Sequence, residues 1–219
     1  MSTGFKPFYT GDSSITAKVS GGRLIDSPTV ADLQSGASYY FDGTNDYIEV
    51  ANDSALNITT QSSTGEWAVE IFFRADSLGI SGSDRLVCKS TAEYSFRLDR
   101  CYIAGTEIIY PTPMDNSSYA DKWMHLVLLG NGSEMEQFIN GASQGLAALG
   151  VTPYASTTSV LRFGTGSDGS GDFGGEIGRV RLFDEDLTDA QVRELYNGAT
   201  VPQDRQDELA GEWLPSGVT

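Results

Sequence analysis

Short runs of alternating apolar and polar residues recur along this chain, each closed by Gly, Asn, Asp or Ser. Alternation at period two is the signature of a strand with one buried face. The first firm run is Ala37-Ser-Tyr-Tyr-Phe-Asp42, joined by Gly-Thr-Asn-Asp to Tyr47-Ile-Glu-Val50, which predicts a hairpin. Trp67-Ala-Val-Glu-Ile-Phe-Phe-Arg74 predicts a long strand with one largely apolar face. Leu86–Lys89, Tyr94–Leu98, Cys101–Ala104 and Glu107–Tyr110 follow at the close spacing of a sandwich. Trp123–Leu129 and Glu134–Ile139 flank Asn131-Gly132, a strong hairpin signal, and Asn140-Gly141 then turns the chain again. Val160–Phe163 and Glu176–Phe183 complete the strands.

The period changes once. Leu187-Thr-Asp-Ala-Gln-Val-Arg-Glu-Leu-Tyr196 predicts a helix with Thr188 as N-cap and Gln191 three residues on, a capping box. Val192, Leu195 and Tyr196 form its apolar stripe and Gly198 lies just past its end. Residues 1–36 read as an arm or one to two edge strands, 37–199 as the β-sandwich, and 200–219 as an acidic tail. The fold class is all-β, an antiparallel sandwich. Its predicted interior includes Phe41, Val69, Ile71, Leu126, Val127, Phe138 and Val180 between two stacked layers.

Composition narrows the function. The 219 residues are 39% hydrophobic, enough for one good core, and Gly (25) far outnumbers Pro (7), as many tight turns require. Thirty acids against 14 Lys and Arg give a net charge of -16, which repels phosphate backbones and anionic membranes. No nucleic-acid or membrane partner is expected. No apolar run has the length of a membrane span, and Met1-Ser-Thr-Gly-Phe-Lys-Pro7 does not read as a secretion signal. The sequons at Asn52, Asn57, Asn116 and Asn131 are of the kind that chance supplies in a chain rich in Asn, Ser and Thr. Cys88 and Cys101 lie on predicted strands, where a disulfide and two buried thiols both remain open.

The order of these elements resembles the laminin-G-like, concanavalin A-like jelly rolls and their pentraxin relatives. Tyr40-Phe-Asp-Gly-Thr-Asn-Asp-Tyr-Ile-Glu-Val50 is similar to that family's opening hairpin. Trp67–Arg74 is similar to its next core strand, and Trp123-Met-His125 to its Trp-x-His strand. Phe138-Ile-Asn-Gly141, Leu161–Gly164, the loop Asp168–Asp172, and Gly175-Glu-Ile-Gly-Arg-Val180 with the helix match its closing segments. Many relatives carry Asp where this chain has Gly178, so any role of that carboxylate is absent. The resemblance implies a jelly roll whose functions range over sugar binding, adhesion, domains appended to enzymes, and parts of bacteriophage virions.

By the same resemblance, loops carrying Asn45, Asp46, Asp168 and Asp172 approach at one edge of the sandwich, where pentraxin-like relatives hold Ca²⁺. Oxygen ligands on flexible loops suit that ion, although turn chemistry alone also accounts for these residues. Tyr102, Tyr110, Tyr119 and Tyr154 are candidates to stack on sugar rings. His125 is the only histidine, so no histidine metal cluster can be built, and its apolar strand predicts a packed side chain. No strand offers the alternating Glu-x-Asp-x-Glu pattern of sandwich glucanases. Asp184-Glu-Asp186 precedes a helix start, and Glu70 stands alone among apolar residues. Gly164–Gly175 contains no Lys, unlike a phosphate loop.

No enzyme is therefore expected. The reading is a virion surface structural protein, a capsid decoration or a tail or fibre component, displaying a lectin-like domain with glycans as candidate ligands. Phe5, Phe8, Tyr9 and Trp213 are the aromatic anchors expected where the terminal segments meet other virion proteins or copies of the same chain. The alternatives are a secreted or cell-surface Ca²⁺-dependent carbohydrate-binding module and an accessory domain of a glycoside hydrolase.

Overall fold

Alternation produces strands throughout. A computed structural model describes residues 18–20, 23–26, 37–57, 65–76, 81–150, 157–197 and 209–213. The strands are β1 (Lys18–Ser20), β2 (Arg23–Asp26), β3 (Ala37–Asp42), β4 (Tyr47–Val50), β5 (Glu66–Ala75), β6 (Arg85–Ser90), β7 (Tyr94–Arg97) and β8 (Arg100–Ile103). They continue as β9 (Thr106–Ile109), β10 (Trp123–Asn131), β11 (Glu134–Ile139), β12 (Ala142–Ala148), β13 (Leu161–Phe163), β14 (Gly174–Phe183) and β15 (Leu209–Trp213). One short 3-10 turn, Ser54–Leu56, and one helix, α1 (Asp189–Tyr196), complete them.

Every pairing among the described strands is antiparallel. One sheet runs β1-β4-β13-β6-β7-β8-β9; the other runs β12-β11-β10-β5-β14-β3-β2, with β15 hydrogen-bonded to β14. Residues 1–36, read as an arm or one to two edge strands, supply two strands at sheet ends, and residues 200–219, read as a tail, supply one more. β1 joins the first sheet, and β2 and β15 join the second.

The inner faces meet in an apolar layer that includes Phe41, Val69, Ile71, Phe96, Leu126 and Val180, all at most 1% exposed. Aromatic contacts cross this layer, such as Trp67 on Phe96 at 5.6 Å between ring centroids. Burying each large side chain is worth about 1.5–3 kcal/mol, so this layer is the main source of stability. Cys101 lies within it, and both cysteines are buried and unbridged.

Val127 and Phe138 lie elsewhere. They sit on the opposite face of the second sheet with Ala68 and Phe183, beneath Leu187, Val192 and Leu195 of the helical segment. Consecutive strand residues point to opposite faces, so Leu126 and Val127 can both be buried only where the sheet is covered on both sides. Helix α1 supplies that cover. Its capping box forms as expected: Gln191 N donates to Thr188 Oγ1, and Thr188 N donates to Gln191 Oε1 at 2.7 Å.

Charge is buried on the same face. Glu70, opposite Val127 and Arg181 in register, is fully buried, with Arg179 Nη2 at 2.8 Å, His125 Nε2 at 3.2 Å and Arg181 Nε at 3.3 Å. Arg179 also donates to Leu195 O at the end of the helix, and its guanidinium lies 4.7 Å over the Phe72 ring. The packed histidine expected at position 125 stacks on Phe72 at 4.3 Å. Burial alone would raise the Glu70 carboxyl, but Arg181, Arg179 and His125 together lower it to about 2.

Candidate functional site

Three loops converge at one edge of the first sheet. The 42–46 turn joins β3 to β4, residues 81–84 precede β6, and residues 164–173 join β13 to β14. The backbone brings them together: Gly174 pairs with Asp42, and Arg85 N donates to Gly171 O at 3.0 Å. Thus the loops carrying Asn45, Asp46, Asp168 and Asp172 do approach, with a Cβ on Gly43 reaching within 3.4 Å of Gly174 Cα.

The turn is self-contained. Asp46, 4% exposed, accepts from Asp42 N at 2.9 Å, while Asp42 Oδ1 accepts from Thr44 N at 2.8 Å. Asn45 is exposed at the turn. On the opposing loop, Asp172 Oδ1 accepts from the Thr165 hydroxyl at 2.6 Å.

Two arginines from the strands organise the 164–173 loop. Arg85 Nη1 stands 2.7 Å from Asp168 Oδ1, 2.7 Å from Ser170 Oγ, and donates to Ser170 O. Arg162 Nη1 donates to Gly166 O at 3.0 Å and Ser167 O at 3.2 Å, while its Nε donates to Glu49 Oε2 at 3.0 Å. The same guanidinium lies 4.8 Å over the ring of Tyr47. Glu49, Arg162 and Cys88 are in register on one face of the sheet, so this group adjoins the loop as a rim. Although partial burial would raise the Asp168 carboxyl, Ser170 and Arg85 hold it below the usual range.

Asp84 carries the opposite perturbation. It is 6% exposed and accepts from Ser81 N at 3.0 Å. Burial lifts its carboxyl to about 7; the Ser81 N–H offsets part of that rise and the neighbouring Asp172 charge adds to it.

The structure does not assemble the four expected ligands into a metal cage. Among the described residues, no group of three or more His, Cys, Asp or Glu side chains stands where one ion would meet them all. The loop oxygens point instead at guanidinium nitrogens, and Asp46 and Asp172 are engaged by donors of their own loops. The family's Ca²⁺ does not fit this arrangement.

The tyrosines scatter. Tyr110 is 2% exposed within the inter-sheet core, so it is not the surface platform expected of it. Tyr119 is half-buried against that core. Tyr102 is half-buried on the outer face, beneath Arg97 at 4.6 Å and donating to Glu107. Tyr154, Phe5, Phe8 and Tyr9 lie outside the described residues. Trp213 is on β15 opposite Val180. Sequence reasoning missed Tyr47, Glu49, Asp84, Arg85 and Arg162 as site residues. A weak signal existed in Arg162, a charge between two apolar neighbours, since alternation places it outward.

A sequence model described as the concanavalin A-like lectin/glucanases superfamily matches residues 42–193, more than two thirds of the chain. No curated protein matches the sequence. Solved structures share the fold at low identity. A Bacteroides ovatus protein proposed to bind carbohydrate superimposes with a TM-score of 0.59 at 13% identity, covering 82% of this chain and 55% of that one. Domain 4 of a GH43 extracellular arabinanase from Geobacillus stearothermophilus, solved with arabinotriose, gives 0.52 at 15%, covering 80% and 87%. The ligand binding domain of botulinum neurotoxin serotype D, solved with N-acetylneuraminic acid, gives 0.54 at 13%, covering 84% and 47%. The chain thus spans about half the length of the first and third of these structures.

Proposed function

Because the chain belongs to the concanavalin A-like lectin/glucanase superfamily, we propose that it binds glycans without cleaving them, at the loop edge built from Tyr47, Glu49, Arg85, Arg162 and the 164–173 loop. The observation that carries this reading is the ordered polar rim. Two strand arginines fix one loop and leave carboxylates, carbonyls and a tyrosine at a shared edge, the mixture of donors, acceptors and aromatic surface that hydroxyl-rich ligands require. The sugar-bound arabinanase and neurotoxin domains support it through the fold they share. The net charge of -16 favours neutral glycans over polyanionic ones.

Hydrolysis is disfavoured by the state of Glu70. It is fully buried and held ionised by two arginines and a histidine, so it can reach neither a glycosidic oxygen nor an anomeric carbon. Affinity electrophoresis through gels cast with neutral polysaccharides, arabinan among them, tests the reading. Wild type should be retarded, Tyr47→Ala should lose most of that retardation, and no reducing ends should appear. If no polysaccharide retards wild type, the reading is wrong.

A narrower setting is a virion surface, where the chain would serve as a decoration, tail or fibre subunit held by its flanking segments. Its support is that β1, β2 and β15 tie both flanks into the sandwich, so anything gripping those segments also holds the lectin-like body. Deleting residues 1–17 and 214–219, then measuring mass in solution and incorporation into particles, tests it; normal incorporation of both deletions rejects it. Among the described residues, no helix is long and apolar enough to cross a membrane.

A further inference from the structure

The 166–170 stretch turns five oxygens toward two nitrogens. Asp168 Oδ1, Ser170 Oγ and Ser170 O meet Arg85 Nη1, while Gly166 O and Ser167 O meet Arg162 Nη1. Convergence of carboxylate, hydroxyl and backbone carbonyl oxygens from one short loop is the usual way to surround a hard cation, which takes six to eight such ligands. Here the positive charge comes from side chains.

We propose that Arg85 and Arg162 are the resident cations of this loop, so that it is ordered, and binds its ligand, without calcium. Ligand binding here rests on the glycan reading above; the ordering of the loop does not. Two observations and one property of the guanidinium favour it. The Arg85 side chain is only 8% exposed, so its charge belongs to the loop and not to solvent. A Cβ on Gly166 would fall 1.7 Å from Arg85 Nη1, so the guanidinium keeps this place only while position 166 is glycine. A guanidinium also stays protonated across the whole working pH range, unlike a metal site, whose ligands must shed protons first. For a metal to enter, it would have to displace Arg85 from three oxygens and then sit beside its charge.

Thermal unfolding of the full chain in EDTA and in millimolar CaCl₂ tests this, with calorimetric titration of CaCl₂ alongside. The expected result is one midpoint in both buffers and no saturable heat. A midpoint raised by calcium, or a saturable isotherm, overturns the proposal. Arg85→Gln keeps all five oxygens and removes the charge. It should unfold at a lower temperature in EDTA and gain a calcium-dependent rise that wild type lacks; absence of that rise also overturns the proposal. Should Arg85→Gln fail to fold, Asp168→Asn serves: its midpoint should be lower than wild type by the same amount in both buffers, and a loss confined to CaCl₂ counts against the idea. Retardation by polysaccharide should be equal in the two buffers, a ratio of one. If no polysaccharide binds at all, the glycan reading falls while the unfolding comparison still decides the role of the arginines.

Discussion

Replacing Glu70 with Gln keeps the side chain's shape and removes the negative charge that meets Arg179, Arg181 and His125. The carboxyl moves from an ordinary value of 4.5 in the unfolded chain to about 2 in the folded one. That lowering corresponds to about 3 kcal/mol favouring the ionised folded form. Breaking a buried ion pair by removing one partner typically costs about 3–5 kcal/mol, in agreement, because the surviving charges lose their compensation. The sign follows from the lowered pKa. The contribution is complete above pH 4.5 and disappears as pH falls through about 2. Urea unfolding of both proteins, followed by tryptophan fluorescence from buried Trp67, measures this difference across pH. Glu70→Gln should be about 3–4 kcal/mol less stable at pH 7, a large share of the roughly 5–15 kcal/mol a domain possesses. The gap should shrink by about 3 kcal/mol between pH 5 and pH 2. A loss under about 1 kcal/mol at pH 7, or a gap that does not vary with pH, would refute the assignment of a charged, productively paired Glu70.

Asp84 should behave in the opposite sense. Its raised pKa makes ionisation a cost to the folded state that grows between pH 3.8 and about 7, so Asp84→Asn should be more stable at pH 8 and unchanged near pH 3. The gain should be about 1–2 kcal/mol, read as a midpoint rise in a melt at pH 8. Gly130→Ala drives a Cβ to 2.3 Å from the fully buried Trp67 ring, so a loss of about 1–3 kcal/mol by urea unfolding is expected. Thr188→Ala removes the N-cap and should cost about 1 kcal/mol, with no change in calcium response. Cys88 and Cys101 should react with a thiol reagent only after denaturation; prompt native reaction would contradict their burial.

Local patterns revealed the layers better than the edge. Trp67–Arg74 and Trp123–Leu129 were legible because two buried faces make long apolar strands, and the capping box at Thr188 is a contact within one turn. Assignment of faces was harder. Val127 and Phe138 carry the same apolar signal as Leu126, and only the position of α1 decides which of them it covers. Asp168 and Asp172 were conspicuous as acids in a Gly/Ser loop, but their partners were not. Arg85 lies 83 residues from Asp168, and a strand arginine has no local feature announcing which loop it will hold. Glu70 likewise stood out as an isolated charge, while its meaning depended on Arg179, 109 residues away.

The placement of β14 constrains synthesis as well as architecture. Residues 174–183 form the seam joining strand 37–42 to strand 66–75 and later receive 209–213. A chain emerging from the ribosome can pair 23–26 with 37–42, but the edges of 37–42 and 66–75 that this seam covers stay open until most of the polypeptide exists. Sheets closed by such distant partners fold slowly and expose open strand edges while they wait. Nascent chains stopped before residue 174 should accordingly bind chaperones or precipitate, whereas those released after 213 can zip shut.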